Sequence, residues 1–312
     1  MADLRVEALE LRFSQKVLDG LSLSVSGGAI IGIVGPSGGG KSSLLKIVAG
    51  LLDADSGTVY WNDKRVKGPR DVLVPGHEDI QLVNQDFGLD IYHTVEQNVI
   101  QKMLYLPNDV RTRFCAELLE LVDLTALSGE QAIHLSGGEQ QRLAIIRALA
   151  VEPDLLLLDE PFAHLDAHLK ERIGNYLKML SETRGTTCIL VSHEGQDILQ
   201  WCSKIHFMND GQILRTDSPQ GYYFNPSSAY EALFFGEINE ILLNGKQVLF
   251  RPVEYHLEAG KEQVPIQFKY AAFAGAYWRN FVCTNQGEEL VLFAQQSLEH
   301  VRAITISKQQ NT

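Results

Sequence analysis

A glycine-rich segment that ends in a lysine and a serine carries the first chemically informative pattern. Residues 35–42 fit the spacing G-x-x-x-x-G-K-[ST], directly after an apolar run and before an amphipathic segment. Glycines let backbone N–H groups converge on an anion, and the start of a following helix adds partial positive charge. The pattern predicts a phosphate-binding loop in which Lys41 contacts the terminal phosphates, Ser42 holds Mg²⁺ and Ser43 hydrogen-bonds the α-phosphate.

Two adjacent carboxylates close a second apolar run. Residues 155–158 are four leucines, and Asp159 and Glu160 follow them. A carboxylate that merely ends a strand needs no chemical role. With a phosphate loop upstream, however, we predict that this strand brings Asp159 beside a metal ion and Glu160 beside an attacking water.

A serine and two glycines precede a helical pattern that starts near residue 137. Ser136 and Glu139 satisfy the S-x-x-E spacing of a helix capping box. A cap does not require Gly137 and Gly138, each of which costs a helix about 1 kcal/mol relative to alanine. We therefore expect the two glycines to expose backbone amides to a second anion.

The elements that must position these residues follow a β-α-β order. Short strand patterns cover residues 4–13 and 18–25, and continuous apolar runs cover 29–34, 155–158, 188–191 and 205–208. Such runs are typical of parallel strands that are buried on both faces. Helical segments separate the later runs, so the pattern predicts an α/β domain with a parallel sheet.

The pattern changes near residue 236, where helical spacing gives way to short strand patterns and tight turns. Residues 1–235 carry 20 basic and 31 acidic residues, whereas residues 236–312 carry 7 and 8. We predict an α/β domain over residues 1–235 and a small β-barrel over residues 236–312.

Composition restricts the class of protein. The chain has 312 residues, is 45% apolar, and carries a net charge of −12, which argues against a main affinity for nucleic acid or anionic lipid. No apolar run approaches the roughly 20 residues of a membrane span, and no signal peptide is visible, so an intracellular location is expected. The cysteines are scattered, as expected of reduced packing residues. They are Cys115, Cys188, Cys202 and Cys283.

In order and spacing, the first 235 residues resemble the nucleotide-binding subunit of ATP-binding cassette (ABC) transporters. The resemblance matches residues 35–43 to the Walker A loop, 135–140 to the signature motif and 155–160 to Walker B. It implies a P-loop NTPase fold with a RecA-like α/β core, an antiparallel β subdomain and a helical subdomain. It also implies that the chain binds ATP and Mg²⁺ and hydrolyses ATP with Glu160 as the catalytic glutamate.

The same resemblance assigns roles to four residues outside these motifs. Gln85 matches the Q-loop glutamine, which contacts the γ-phosphate and the metal, and His193 matches the switch histidine. Asp166 matches the D-loop aspartate, and Phe13 matches the aromatic that stacks on adenine.

The expected site residues fall into three groups. The catalytic group is Glu160, His193, Gln85 and Lys41, and the metal group is Ser42, Gln85 and Asp159. The nucleotide-binding group is Phe13, Gly35, Pro36, Ser37, Gly38, Gly39, Gly40, Lys41, Ser42, Ser43, Ser136, Gly137, Gly138, Glu139 and Asp166. Two positions depart from the family pattern: Ala163 replaces a D-loop serine, and Gly39 replaces a serine, cysteine or alanine.

A chain with one phosphate loop and one signature motif cannot complete a site alone in this family. The resemblance therefore implies a two-fold, head-to-tail dimer that encloses two ATP molecules. It further implies separate transmembrane permease subunits, an extracytoplasmic solute-binding protein, and a peripheral position on the inner face of the membrane. No nucleic-acid partner is expected.

The C-terminal segment gives a weaker resemblance. Residues 250–254 (F-R-P-V-E) and the short strands resemble the oligonucleotide-fold-like TOBE domain of importer ATPases, although Val253 stands where the family has an acidic residue. A dimer-stabilising or regulatory role is implied. Two alternatives remain open: a soluble cassette ATPase that acts on ribosomes or DNA, and a non-hydrolysing nucleotide sensor, which Glu160 and His193 disfavour.

Overall fold

The computed structural model describes residues 3–84, 86–163, 165–258 and 263–307. It divides into two compact units, Met1–Pro219 and Gln220–Thr312. Within the described part of the chain, no helix combines the length and the apolar character that crossing a bilayer requires.

The first unit combines strands and helices in alternation. Its elements are β1 (Asp3–Arg12), β2 (Lys16–Ser26), β3 (Ile30–Val34), α1 (Lys41–Val48), β4 (Ser56–Trp61), β5 (Lys64–Arg65), β6 (Ile80–Val83), α2 (Val95–Ile100), α3 (Asn108–Leu121), α4 (Gly137–Leu149), β7 (Leu155–Asp159), α5 (Ala167–Arg184), β8 (Thr187–Ser192), β9 (Lys204–Asn209) and β10 (Gln212–Asp217). Helix α6 (Pro219–Phe224) starts at the last residue of the first unit.

A six-stranded sheet organises this unit. Its order is β10-β9-β3-β8-β7-β6, with all neighbours parallel except β10 against β9. Every residue of β3, β7 and β8 is buried, as three of the four apolar runs predict, and the fourth run is the buried middle of β9. Because β3, β8 and β7 are adjacent and parallel, the residues that follow them meet at one edge of the sheet. The predicted α/β cassette fold is confirmed.

A four-stranded antiparallel sheet, in the order β2-β1-β4-β5, covers one side of α1. Apolar residues of this sheet, α1 and the central sheet share one core, including Leu9, Ile33, Leu44 and Ile189. Each contributes on the order of 2 kcal/mol through burial of its side chain. This packing fixes α1 and therefore the loop that precedes it.

The second unit is mostly β. Its elements after α6 are α7 (Ala229–Leu233), β11 (Asn239–Leu243), β12 (Lys246–Phe250), β13 (Tyr255–His256), β14 (Gln263–Phe273), β15 (Trp278–Thr284), β16 (Glu289–Ala294) and β17 (Ala303–Ile306). Strands β11 and β12 form a hairpin, and the other five form an antiparallel sheet in the order β13-β17-β14-β15-β16.

The two edges of the five-stranded sheet approach each other. The Phe293 N–H on β16 donates to the Pro252 carbonyl just before β13, at 2.9 Å. The Tyr255 hydroxyl on β13 donates to the Phe293 carbonyl, also at 2.9 Å. These bonds draw the sheet round a core that includes Val264, Val282 and Leu292. After its two short helices, the C-terminal unit thus has the β-structured, barrel-like form that the sequence predicts.

A buried arginine explains why the structural division lies before the predicted boundary near residue 236. Arg251 is fully buried and donates to four main-chain carbonyls in and after the two short helices. They are those of Tyr223 (2.7 Å), Ala232 (3.2 Å), Gly236 (2.9 Å) and Glu237 (3.0 Å). These contacts attach the helical residues to the β unit, although their pattern resembles that of the first domain.

We expect Arg251→Leu to destabilise the second unit by about 3 kcal/mol or more, because it leaves several buried carbonyls without donors. Calorimetry should show a transition of this unit at lower temperature. Arg302→Ala is the matched control, because Arg302 is exposed and, among the described residues, its side chain donates to a single carbonyl, that of Glu299. Equal thermal stability of the two variants would refute this role for Arg251.

Candidate nucleotide-binding and catalytic site

The loop between β3 and α1 is held in a shape that only glycine fits at two positions. Gly40 precedes α1 with φ of +94°, and a Cβ there would lie 2.5 Å from the Val17 carbonyl oxygen. A Cβ on Gly35 would lie 1.9 Å from the Met208 carbonyl oxygen. Gly40 has no side chain to cap α1, so the first N–H groups of the helix stay available to an anion.

Lys41 is a buried cation at the start of α1. Its ammonium donates to the carbonyls of Gly35 and Pro36, each at 2.8 Å. Burial lowers the pKa of Lys41, and the nearby Glu160 and Asp159 carboxylates partly oppose that shift. In the described part of the chain its hydrogen-bond partners are thus neutral carbonyls, and its charge remains available to an anion.

Asp159 ends β7 beside the same loop. It is buried, and burial raises the pKa of its carboxyl, while a hydrogen bond from Ser42 and the charge of Lys41 lower it. The neighbouring Glu160 also raises this pKa. A hydroxyl and a carboxylate that line one pocket are hard oxygen ligands of the kind that Mg²⁺ prefers.

Glu160 and His193 form a hydrogen-bonded pair at the ends of β7 and β8. Glu160 Oε1 lies 2.7 Å from His193 Nδ1 and accepts the His193 main-chain N–H at 2.9 Å. The Ser192 hydroxyl approaches Glu160 Oε2 at 3.4 Å. Glu160 itself has φ of +54°, an uncommon conformation for a residue with a side chain.

These groups share one open pocket. Its lining residues are Val17, Ser37, Gly38, Gly40, Lys41, Ser42, Ser43, Asp159 and Glu160. Of the predicted site residues, the loop and the two carboxylates are therefore brought together. Val17 was not predicted from the sequence.

The predicted signature residues do not line this pocket in the described part of the chain. Ser136 caps α4: its hydroxyl accepts the Glu139 N–H at 3.4 Å, and Glu139 accepts the Ser136 N–H at 2.7 Å. The hydrogen bonds from Ser136 lower the pKa of Glu139. A Cβ on Gly137 would meet no atom within 4 Å, so nothing within the chain requires glycine there.

Three further predicted residues have distinct positions. Phe13 is 62% exposed on the turn between β1 and β2, so its ring is free to stack. Asp166 caps α5 by accepting the Leu169 N–H at 2.9 Å, which is the main reason that its pKa is lowered. Gln85 lies outside the described residues.

One polar contact to the site was missed from the sequence. The Gln141 side-chain amide on α4 donates to the Glu160 main-chain carbonyl at 2.7 Å. In sequence, Gln141 is one of several polar residues after the capping box. No local signal distinguishes it, because its partner is 19 residues away.

The sheet topology and the loop define this molecule as a P-loop nucleotide-binding protein. A family model described as "ABC transporter" matches residues 18–163. The sulfate/thiosulfate import ATP-binding protein CysA of Pseudomonas syringae is 37% identical over 249 residues, which cover 78% of this chain and 75% of that protein. CysA of Vibrio cholerae is 36% identical over 245 residues, covering 76% and 64%.

A solved structure gives the same result. The ATP-binding cassette MJ0796, in a dimeric post-hydrolysis state bound to ADP and phosphate, superposes with a TM-score of 0.64 and 27% identity, over 70% of this chain and all of that one. The chain therefore belongs to the ABC transporter family, as its ATP-binding, ATP-hydrolysing cassette.

Proposed function

We propose that this chain is the ATPase subunit of an importer and that two copies enclose two ATP molecules beneath membrane-spanning partner chains. One observation supports the dimer above all: the pocket that holds Lys41 and Glu160 is open, and Ser136 and Gly137 of the same chain do not line it. A second copy supplies that missing wall. The dimeric form of the related cassette MJ0796 agrees with this arrangement.

Within this dimer, one copy holds the phosphates through its loop. Lys41 contacts the β- and γ-phosphates, and Ser43 contacts the α-phosphate. The amides of Gly137 and Gly138 from the second copy approach the γ-phosphate, together with Ser136. Because each copy contributes one wall to each site, binding of ATP closes the dimer and hydrolysis weakens it.

Glu160 is the residue that acts on the attacking water. Its carboxylate lines the pocket, and His193 holds Oε1 through two contacts. Glu160 accepts a proton from the water or orients it, and Lys41 stabilises the negative charge that develops on the phosphate. His193 contributes a hydrogen bond to the γ-phosphate.

The remaining predicted residues complete the proposal. Phe13 stacks on the adenine ring, and Asp166 lies at the dimer contact. Gln85 contacts the γ-phosphate and the metal, and it transmits closure to the partner chain in the membrane.

Ser42 and Asp159 are the residues that would hold Mg²⁺. Both line the same pocket, and the carboxylate of Asp159 is buried beside the Ser42 hydroxyl. When bound, Mg²⁺ neutralises part of the phosphate charge.

Asp159→Asn tests this assignment through stability as well as turnover. Because the pKa of Asp159 is raised in the folded protein, folding disfavours the ionised carboxylate. The protonated carboxyl therefore favours the folded state below the pKa of the unfolded chain, and this advantage is lost as the pH rises through the pKa of the folded protein. At pH 7 the neutral asparagine should therefore raise the free energy of unfolding of the nucleotide-free protein, by about 1 kcal/mol. Magnesium-dependent hydrolysis should be lost.

Chemical denaturation at pH 7 measures the first effect. Asp109→Asn is the control, because Asp109 is an exposed carboxylate in the first turn of α3. A loss of stability in Asp159→Asn, or unchanged hydrolysis, would contradict the assignment.

Import is proposed from the relatives, which are named as sulfate/thiosulfate import proteins. A sulfate-like oxyanion is thus the first substrate to test, delivered by an extracytoplasmic binding protein to permease chains. The second unit, with its TOBE-like form, would stabilise or regulate the dimer.

Affinity purification from detergent-solubilised membranes tests the proposal directly. The tagged chain should retain proteins with membrane-spanning helices, and the tag alone should not. Retention of ribosomes or DNA instead would overturn the importer assignment and favour a soluble cassette ATPase.

A further inference from the structure

The main chain of Glu160 is held from two sides. Its N–H donates to the Val191 carbonyl of β8 at 3.0 Å. Its carbonyl accepts two donors, the Ala163 N–H at 3.2 Å and the Gln141 side-chain amide at 2.7 Å. The Ala163 bond closes a local turn, whereas the Gln141 bond comes from a separate helix.

Gln141 is well placed to make a firm contact. Its side chain is buried, with 7% of the residue exposed, and it lies on the second turn of α4, directly after the capping box. A buried amide keeps such a bond, because a buried donor without a partner is costly. The contact therefore ties the helix that begins at Ser136 to the residue that carries the catalytic carboxylate.

The backbone conformation of Glu160 explains why the bond from Gln141 matters. A residue with a side chain at φ of +54° is strained and persists only where its surroundings hold it. If the backbone at Glu160 relaxed out of this conformation, its Cα–Cβ bond would turn and the carboxylate would move relative to Lys41 and His193. Small displacements of a reacting group cost large factors in rate.

We propose that Gln141 is a positioning residue for hydrolysis: by holding the Glu160 carbonyl, it fixes the direction of the Glu160 carboxylate. This inference rests on the proposed function, in which Glu160 acts on the attacking water. Gln141 also gives α4 of one copy a direct connection to the catalytic carboxylate of that same copy.

The first test replaces Gln141 with methionine, which preserves length and burial but cannot donate. The turnover number should fall about tenfold, because the carboxylate is no longer held in one direction. The KM for ATP should change less than about twofold, because Gln141 does not line the pocket and, among the described residues, its hydrogen bond goes to Glu160 and not to the phosphate loop.

Asn98→Leu is the control for a loss of stability alone. Asn98 is also a buried amide, and it donates to the carbonyls of Asp90 and Thr94, each at 3.0 Å, far along the chain from Glu160. We expect a lower melting temperature and nearly normal turnover for this variant.

The decisive test repeats Gln141→Met in a Glu160→Gln background. If Gln141 acts through the carboxylate, the residual turnover of the double variant should match that of Glu160→Gln alone within about twofold. An equal fall in both backgrounds indicates a general structural role, and normal turnover in Gln141→Met indicates none; either result overturns the inference. If Glu160→Gln itself is fully active, the proposed role of Glu160 fails, and the inference falls with it.

Discussion

Replacing Glu160 with glutamine should lower the rate of ATP hydrolysis at least about a hundredfold, roughly 2.7 kcal/mol of activation free energy, while ATP binding persists. The substitution removes the charge that accepts a proton from water. It retains an Oε1 atom, which can still accept the His193 main-chain N–H. The geometry of the pocket should thus survive, and the loss should appear in the turnover number rather than in nucleotide affinity.

Glu194→Gln is a matched control for Glu160→Gln. Glu194 is the neighbouring acid: its Oε1 lies 3.8 Å from His193 Nε2, but its side chain is 66% exposed. An exposed pair of this kind contributes little, so turnover should stay within about twofold. Normal hydrolysis by Glu160→Gln would remove Glu160 from its proposed role.

Lys41→Ala should lose nucleotide binding, with at least about a hundredfold weaker affinity or turnover. The ammonium is buried and touches only the Gly35 and Pro36 carbonyls within hydrogen-bond distance in the described residues, so its charge is reserved for an anion. Because burial lowers the pKa of Lys41, the charged form is held at a cost in the folded protein. The substitution should therefore weaken binding without lowering the free energy of unfolding. Titration with a fluorescent ATP analogue and chemical denaturation measure the two effects.

Lys46→Ala is the control on the same helix. Lys46 lies in the last turn of α1, is partly exposed, and pairs with Asp86 at 3.8 Å. Its loss should leave nucleotide affinity nearly unchanged. If Lys41→Ala and Lys46→Ala bind nucleotide equally well, the loop does not bind phosphate in the way proposed.

The sequence was most informative where the chemistry follows a strand. Three apolar runs come just before the phosphate loop, before Glu160 and before His193, and each forms a fully buried strand of the parallel sheet. Such burial can be predicted from an uninterrupted run of apolar residues alone. Strand order with the phosphate loop was enough to predict where Asp159 and Glu160 lie, whereas the role of His193 came from the family resemblance; parallel neighbours that end at one edge explain why all three meet. The contact between Glu160 and His193 is the outcome of that rule.

Long-range polar contacts could not be predicted in the same way. Gln141 and Arg251 each bond to main-chain carbonyls, and a carbonyl is present at every residue, so no residue type identifies the partner. Arg251 also explains why the second unit begins before residue 236, because its hydrogen bonds attach two short helices to the β-strands of that unit. The helical spacing of apolar residues predicts that a segment is a helix, but it does not predict which structural unit the helix packs against.

The structure accommodates both departures from the family pattern, Gly39 and Ala163, without a change to the pocket. A Cβ on Gly39 would lie 3.1 Å from the Pro36 carbonyl oxygen, so the small side chain that is usual there would need only a slight shift. Ala163 contributes its N–H, which any residue but proline supplies, to the Glu160 carbonyl. Neither departure removes a group that lines the pocket.

The central claim is that two copies of this chain enclose ATP, and the mass of Glu160→Gln in solution tests it most directly. Light scattering should show twice the mass of one chain with saturating MgATP and a single chain without nucleotide. Adding Gly137→Asp, which brings a negative charge into open space where it disturbs no neighbour within 4 Å, should keep the protein monomeric while ATP still binds. A single chain for Glu160→Gln at saturating MgATP would contradict the account.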